Sequence, residues 1–207
     1  MTQLPRRHLL GIAFAGLLAA PAAWAQAGDP AAPIKTLNDA LLHIMQMGGS
    51  ASFADRVKVA GPAIQAAFDL PQILKISVGS RWGGLPPAQQ TRLLEVFTRY
   101  TVDSYVANFS GFSGQKFVIL PESRNIGADK TVETQIVPIS GDSNRIDYVM
   151  RQGGGGWRAV DVLLDGSISR VAVQRSDFRS LLSEGDASRL ISTLGQKAAV
   201  LESGNQP

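Results

Sequence analysis

Residues 130–164 read KTVETQIVPISGDSNRIDYVMRQGGGGWRAVDVLL, and the period of this stretch decides the fold. Thr131-Val132-Glu133-Thr134-Gln135-Ile136 alternates apolar and polar residues, as does Ile146-Asp147-Tyr148-Val149-Met150-Arg151. Period two with β-branched and aromatic residues predicts strands at Lys130–Ile139, Arg145–Gln152 and Trp157–Leu164, and a fourth at Gln115–Leu120. The links Gly141-Asp142-Ser143-Asn144 and Gly153–Gly156 have the length and composition of hairpin turns. Consecutive hairpins make an antiparallel meander.

Upstream of Gly111-Phe112-Ser113-Gly114 the period is helical. Ile34, Leu37, Leu41, Ile44 and Met45 recur at helical spacing up to Gly48-Gly49. Ser52 can cap a second helix running to Phe68, which Pro62 either kinks or restarts. Asp69 can cap a short third helix with Pro71 in its first turn, and Pro86-Pro87 opens the longest, about 20 residues to Phe109. Downstream, helices are expected at about 168–183 and 186–201, the latter with Asp186 as cap. Helices, four strands, then helices indicate an α+β fold: a four-stranded antiparallel meander packed on one face by N-terminal and C-terminal helices, with an apolar cleft between them.

The ends of the chain read differently. Arg6 and Arg7 precede an apolar run from Leu9 to Ala22, and Ala23-Trp24-Ala25 offers a cleavage site before Gln26. Residues 1–25 are therefore expected to be a cleaved signal peptide, and Arg6-Arg7-His8-Leu9-Leu10 is similar to a twin-arginine signal. Residues 26–33 form an Ala/Pro/Gly tether, 34–201 one binding domain and 202–207 a disordered tail. Removal of residues 1–25 takes two positive charges and no negative one from a formal +3, leaving a nearly neutral exported chain. Outside the cytoplasm there is no ATP supply, so kinase, ligase and DNA-binding readings fall away, and no nucleic acid is expected as partner. A monomer is expected.

The chemistry of the exported chain is sparse. Cysteine is absent, which excludes disulfides, thiolate metal sites, a cysteine nucleophile and a lipoprotein anchor. His43 is the one histidine beyond the signal and sits among Leu41, Leu42, Ile44 and Met45, so a histidine metal site is impossible. Gly153–Gly156 lacks the Lys-Ser/Thr of a phosphate-binding loop and precedes a strand rather than a helix. No cofactor, metal or catalytic residue is expected. Asp147 and Asp161, on neighbouring strands, remain as carboxylates that either work with Tyr148 or Tyr105 in proton transfer or simply anchor strands and turns.

Apolar surface is what the sequence does supply. Phe97, Tyr105 and Phe109 share one face of the long helix, with Tyr100 beside them. With Phe68, Leu70, Ile73 and Val78 they either fill a core or line a cleft, facing strand residues Ile136, Tyr148, Val160 and Val162. Arg170, Arg175 and Arg179 on the last helices form a solvated face or a docking surface for an acidic partner or an anionic head group.

A family resemblance rests on an ordered set of motifs. Phe68-Asp69-Leu70-Pro71-Gln72-Ile73, Val78-Gly79-Ser80-Arg81-Trp82 and Leu85-Pro86-Pro87-Ala88-Gln89-Gln90, running into Phe97-x-x-Tyr100, resemble the toluene-tolerance family, which contains the periplasmic lipid carrier of the Mla transport system. Gly155-Gly156-Trp157-Arg158-Ala159-Val160-Asp161-Val162 and Leu164-Asp165-Gly166-Ser167-Ile168-Ser169 are similar to its last strand and Gly-x-Ser step. Arg175-Ser176-Asp177-Phe178 resembles its Tyr-Arg-x-x-Phe helix, with Gln174 in place of the tyrosine, a variant closer to the hopanoid-associated subgroup. The resemblance implies a periplasmic, non-enzymatic lipid shuttle carrying phospholipid or hopanoid between an inner-membrane ABC transporter complex and the outer membrane, where a second complex would receive it. Exposing a diacyl lipid of about 30 methylenes costs on the order of 20–25 kcal/mol, at about 0.8 kcal/mol each, so such a shuttle must shelter its cargo. Two other readings stay open: an α+β enzyme acting on an apolar substrate through Asp/Tyr, and an adaptor of a transport complex that binds no lipid.

Overall fold

The computed structural model describes residues 28–204, so the expected signal peptide lies outside the described residues. Helices α1 (Ala32–Gln46), α2 (Phe53–Ala67), α3 (Leu70–Val78) and α4 (Pro87–Asn108) precede the sheet. The strands are β1 (Lys116–Ile119), β2 (Asn125–Ile126), β3 (Asp129–Val137), β4 (Asn144–Gly153), β5 (Gly156–Leu164) and β6 (Ile168–Ser169). Helices α5 (Arg170–Arg179) and α6 (Ser188–Glu202) follow. The α+β class and the meander hold, but the sheet has six strands rather than four. Its order is β1-β3-β4-β5-β6, with β2 pairing β3 and every pairing antiparallel. The two additional strands are two residues long, too short to carry a period.

Local chemistry explains the boundaries. α1 begins at Ala32, inside the expected tether, because Asp29 Oδ1 accepts from Ala31 N at 2.9 Å and Pro33 occupies the first turn. Its stripe of Ile34, Leu37, Leu41 and Ile44 is wholly buried. α2 runs through Pro62 without restarting. Asp69 caps α3 by accepting from Gln72 N at 3.1 Å, while Asp69 N donates to Ala159 O at 2.9 Å and ties the helix to β5. Gly79 ends α3 at φ +69°, and a Cβ there would stand 3.4 Å from the Arg175 guanidinium that lies across it. The left-handed conformation calls for glycine, while a Cβ would only touch the guanidinium at van der Waals distance.

The C-terminal helices differ from the expectation. α5 is ten residues long, starting at Arg170 with Ser169 as cap (Ala172 N to Ser169 Oγ, 2.9 Å) and ending at Arg179. α6 begins at Ser188 with Ala187 at its cap position, one residue later than expected, but Asp186 still caps its first N–H, Oδ1 accepting from Ser188 N at 3.0 Å. Gln89 of α4 does part of the capping: its Oε1 accepts from Ala187 N at 2.6 Å and its Nε2 donates to Asp186 Oδ1 at 3.0 Å. α6 also extends into the expected tail, where Glu202 accepts from Arg99 at 2.8 and 2.6 Å.

Register assigns the two faces of the sheet. Directly opposed residues share a face, so Val132, Tyr148 and Val162 lie together, as do Thr134, Ile146 and Leu164. This face continues through Met150, Ala159 and Trp157 into a core shared with all six helices. The other face carries an ion cluster. Glu133 and Asp147 stand opposite each other, which alone would be repulsive. Arg124 bridges them at 2.7 and 2.9 Å, and Arg145 at 2.7 and 2.8 Å.

The contact between α4 and α6 holds a buried carboxylate. Asp103 is 3% exposed, its Oδ2 has no hydrogen-bond partner, and Arg99 Nε is 3.7 Å away, engaged with Glu202. Burial first, then the charge of Glu202, pushes its carboxyl up to about 6. A folded-state value above the unfolded one means that the fold resists ionisation. That cost is fully present above about pH 6 and fades as pH falls toward about 4. Asp103→Asn should therefore gain about 1–2 kcal/mol at about pH 8 and nothing at about pH 4, read by urea unfolding at both pH values. An identical effect at the two pH values would contradict an unpaired, ionising carboxylate.

Candidate functional site

Between α4 and the sheet lies a half-open cavity of about 480 Å³, bordered also by α3 and the start of α5. That volume falls within the range of about 300–1,000 Å³ typical of small-molecule sites. From the helices, Phe68, Leu70, Ile73, Phe97, Tyr100, Tyr105 and Phe109 line it, and from the sheet Tyr148 and Val162. All nine are among the cleft residues expected from sequence. Three others do not reach it. Val78 is buried in the core at the end of α3. Ile136 is on the correct face but opposes Phe117 and Asn144 toward the sheet margin. Val160 is the unpaired residue where the β4–β5 register shifts, since Val149 opposes Asp161 and Met150 opposes Ala159. That bulge breaks the alternation which had put Val160 beside Val162.

Aromatic rings form a band across the cavity wall. Phe68 stands 5.3 Å from Tyr105 and 6.1 Å from Tyr148 between ring centroids. Tyr105 stacks on Phe109 at 6.0 Å, and Phe109 meets Phe117 at 5.8 Å. The phenols of Tyr105 and Tyr148 are enclosed by protein, and burial pushes both above the ordinary tyrosine range. Tyr105 nevertheless keeps accessible surface, which faces the cavity. Thr101 also lines the wall, with its hydroxyl buried and unpartnered. The hollow is thus mostly greasy, with a few isolated hydroxyls and with Asp161 and Arg170 as the charged side chains at its wall.

Of the two candidate carboxylates Asp161 lines the cavity and Asp147 does not, and both are held in structural contacts. Asp161 Oδ1 accepts from Val171 N at 3.1 Å and from Val162 N at 2.7 Å, while Oδ2 accepts from Ser169 Oγ at 2.5 Å. It fastens the start of α5 to β5. Asp147 is fully buried in the ion cluster on the opposite face of the sheet. His43 is exposed on α1, and Gly153–Gly156 is a two-residue hairpin turn. Among the described residues, no group of three or more His, Asp or Glu is placed to hold a metal.

Sequence reasoning missed part of the wall. Ile146 and Leu164 line the cavity and follow from continuing the alternation two residues beyond Tyr148 and Val162. Thr101, Ser104 and Asn108 fall on the same helical face as Tyr105. Val171 and Gln174 carry no sequence signal; they line the wall because Asp161 and Ser169 aim α5 there. Of the three arginines, Arg170 stands at the cavity wall. Arg175 lies over Gly79, and the Arg179 backbone carbonyl accepts from Arg81 Nη1 at 3.0 Å.

A family model described as MlaC protein matches residues 35–196. A solved structure described as the phospholipid-binding protein from Ralstonia solanacearum in complex with a phospholipid superposes with a TM-score of 0.71 at 20% sequence identity. The match covers 84% of this chain and 99% of that one, a likeness of fold. No curated protein matches the sequence.

Proposed function

Because the chain belongs to the MlaC protein family, we propose that it is a lipid-binding carrier whose cavity shelters hydrocarbon during transfer between membranes. The observation that carries this reading is the apolar cavity of about 480 Å³, walled by aromatic and aliphatic side chains and served by no catalytic constellation. The phospholipid held by the similar Ralstonia solanacearum protein supports it. So does the engagement of Asp147 and Asp161 in structural contacts: Asp161, although at the cavity wall, has both carboxylate oxygens occupied by Val162 N, Val171 N and Ser169 Oγ.

A periplasmic location, after removal of residues 1–25, and a shuttle role between an inner-membrane ABC transporter complex and the outer membrane accord with the family. The carrier works as a monomer that hydrolyses nothing itself. Its cargo is either the acyl chains of a phospholipid or the fused rings of a hopanoid. Affinity must approach the roughly 0.8 kcal/mol per methylene offered by the bilayer without exceeding it, which suits a roomy wall with few polar contacts. Protein purified without detergent should show, by native mass spectrometry, a bound lipid whose extracted mass distinguishes the two classes. A chain that is consistently empty and takes nothing from vesicles would refute the carrier.

A further inference from the structure

The seam between α4 and the last turn of α6 sets two carboxyl groups against each other. Asp103, 3% exposed, and Glu202 face one another closely enough to share a hydrogen bond. Two carboxylates make that bond only with a proton between them, since each is otherwise an acceptor alone. Arg99 does not take the place of the proton. It spends Nε and Nη2 on Glu202 Oε1, at 2.8 and 2.6 Å, and stands 3.7 Å from Asp103 Oδ2. Among the described residues no donor reaches that oxygen.

Arg99 and Glu202 are the charged groups that act on Asp103. Arg189 and Lys197 of α6 are exposed earlier on the helix. α2 also packs on α4, and its Gly61 lies beside the Val102 side chain. The charges of α2 are engaged at its own start, Asp55 with Lys58 at 3.1 Å and Arg56 with the Gly48 carbonyl. Little else fastens the end of α6. Ala198 is its last fully buried residue, while Leu201 is half-buried and Val200 is 40% exposed. Ser203 N and Gly204 N donate to the carbonyls of Ala199 and Leu201 at 3.1 and 3.2 Å, bonds that stay within the turn. A helix end with so few buried contacts can open apart from the rest of the fold.

We propose that Asp103 and Glu202 are a proton-operated clasp: with one proton between them the last turn of α6 stays docked on α4, and without it the paired negative charges free the turn. Burial first and the charge of Glu202 second hold the Asp103 carboxyl up to about 6. The clasp is therefore closed below about pH 6 and opens as pH rises past it. On its other face α4 presents Phe97, Tyr105 and Phe109 to the cavity, so the clasp sets how firmly that wall is backed.

Amide hydrogen exchange of the full chain at about pH 5 and about pH 8 tests it, with labelling times scaled to the intrinsic pH dependence of exchange. Each unit of pKa shift is a factor of ten, so protection of amides 199–203 should fall about tenfold or more between the two pH values, while that of 190–197 holds. Asp103→Asn and Glu202→Gln each put an amide in place of one carboxyl, and an amide donates at either pH. Both variants should therefore keep the turn protected at about pH 8. Equal wild-type protection of the turn at the two pH values overturns the clasp, as does a turn already unprotected at about pH 5. A loss with rising pH that persists in either folded variant overturns it too. The wild-type comparison decides the matter even where a variant fails to fold.

Discussion

Replacing Val162 by Trp should yield a folded protein that has lost its lipid. Val162 sits in mid-strand opposite Tyr148, half-buried against the core on one side and bordering the cavity on the other. An indole there extends into the hollow without displacing packed atoms, and a strand accepts Trp readily. Stability should therefore change by no more than about 1 kcal/mol, unlike the larger cost of overfilling a packed core. Binding should suffer far more. Each methylene kept from shelter forfeits about 0.8 kcal/mol, so expelling three or four weakens binding on the order of a hundredfold. Lipid extracted per mole of detergent-free protein measures the effect. Val118→Trp is the control, because Val118 lies on β1 and is 38% exposed outside the cavity. A wild-type lipid load in folded Val162→Trp would remove the cavity from consideration as the binding site.

The ion cluster on the opposite face should give the largest loss of stability. Asp147 is fully buried and receives Arg124 Nη2 at 2.9 Å, Arg145 Nε at 2.9 Å and Arg145 Nη2 at 2.8 Å. Asp147→Ala strips two arginines of their shared acceptor and leaves Glu133 as the remaining carboxylate between them. Breaking one partner out of a buried pair costs about 3–5 kcal/mol; both arginines are partly exposed and can turn to water, so about 2–4 kcal/mol is expected. In a domain of this size that lowers the melting temperature by about 6–12 °C. Lipid bound per folded molecule should stay at the wild-type level, since Asp147 faces away from the cavity. A variant of unchanged stability that takes up no lipid would mean that this carboxylate serves the ligand after all.

The parts of this molecule that obey a period could be read before any coordinates. The switch from helical spacing to alternation after Gly114 located the sheet, and Pro86-Pro87 located the start of the helix that forms the cavity's longest wall. Phe97, Tyr105 and Phe109 on that helix, and Tyr148 with Val162 on the strands, follow from the same two rules. What stayed hidden are features with no period. β2 and β6 are two-residue pairings made only because neighbouring strands hold the chain in place. The bulge at Val160 reverses a face without altering the apolar pattern, and Val160 was misassigned for that reason. Arg124 reaches the cluster from a loop, so nothing in its local sequence marks it. The start of α6 is held locally by Asp186 and also by Gln89, ninety-seven residues away, through contacts that only the fold creates.

The cavity walls come from α3, α4, β4, β5 and α5, elements that pack on one another at the edges of the hollow and leave its middle unfilled. A hydrocarbon guest is then a detachable piece of the interior, and its affinity appears as resistance to melting. At a concentration a hundred times its dissociation constant, a guest adds about 2.7 kcal/mol to the folded state. Filled and stripped preparations of one chain consequently melt several degrees apart, so a heating curve records the cargo history of each batch as much as the quality of the sequence.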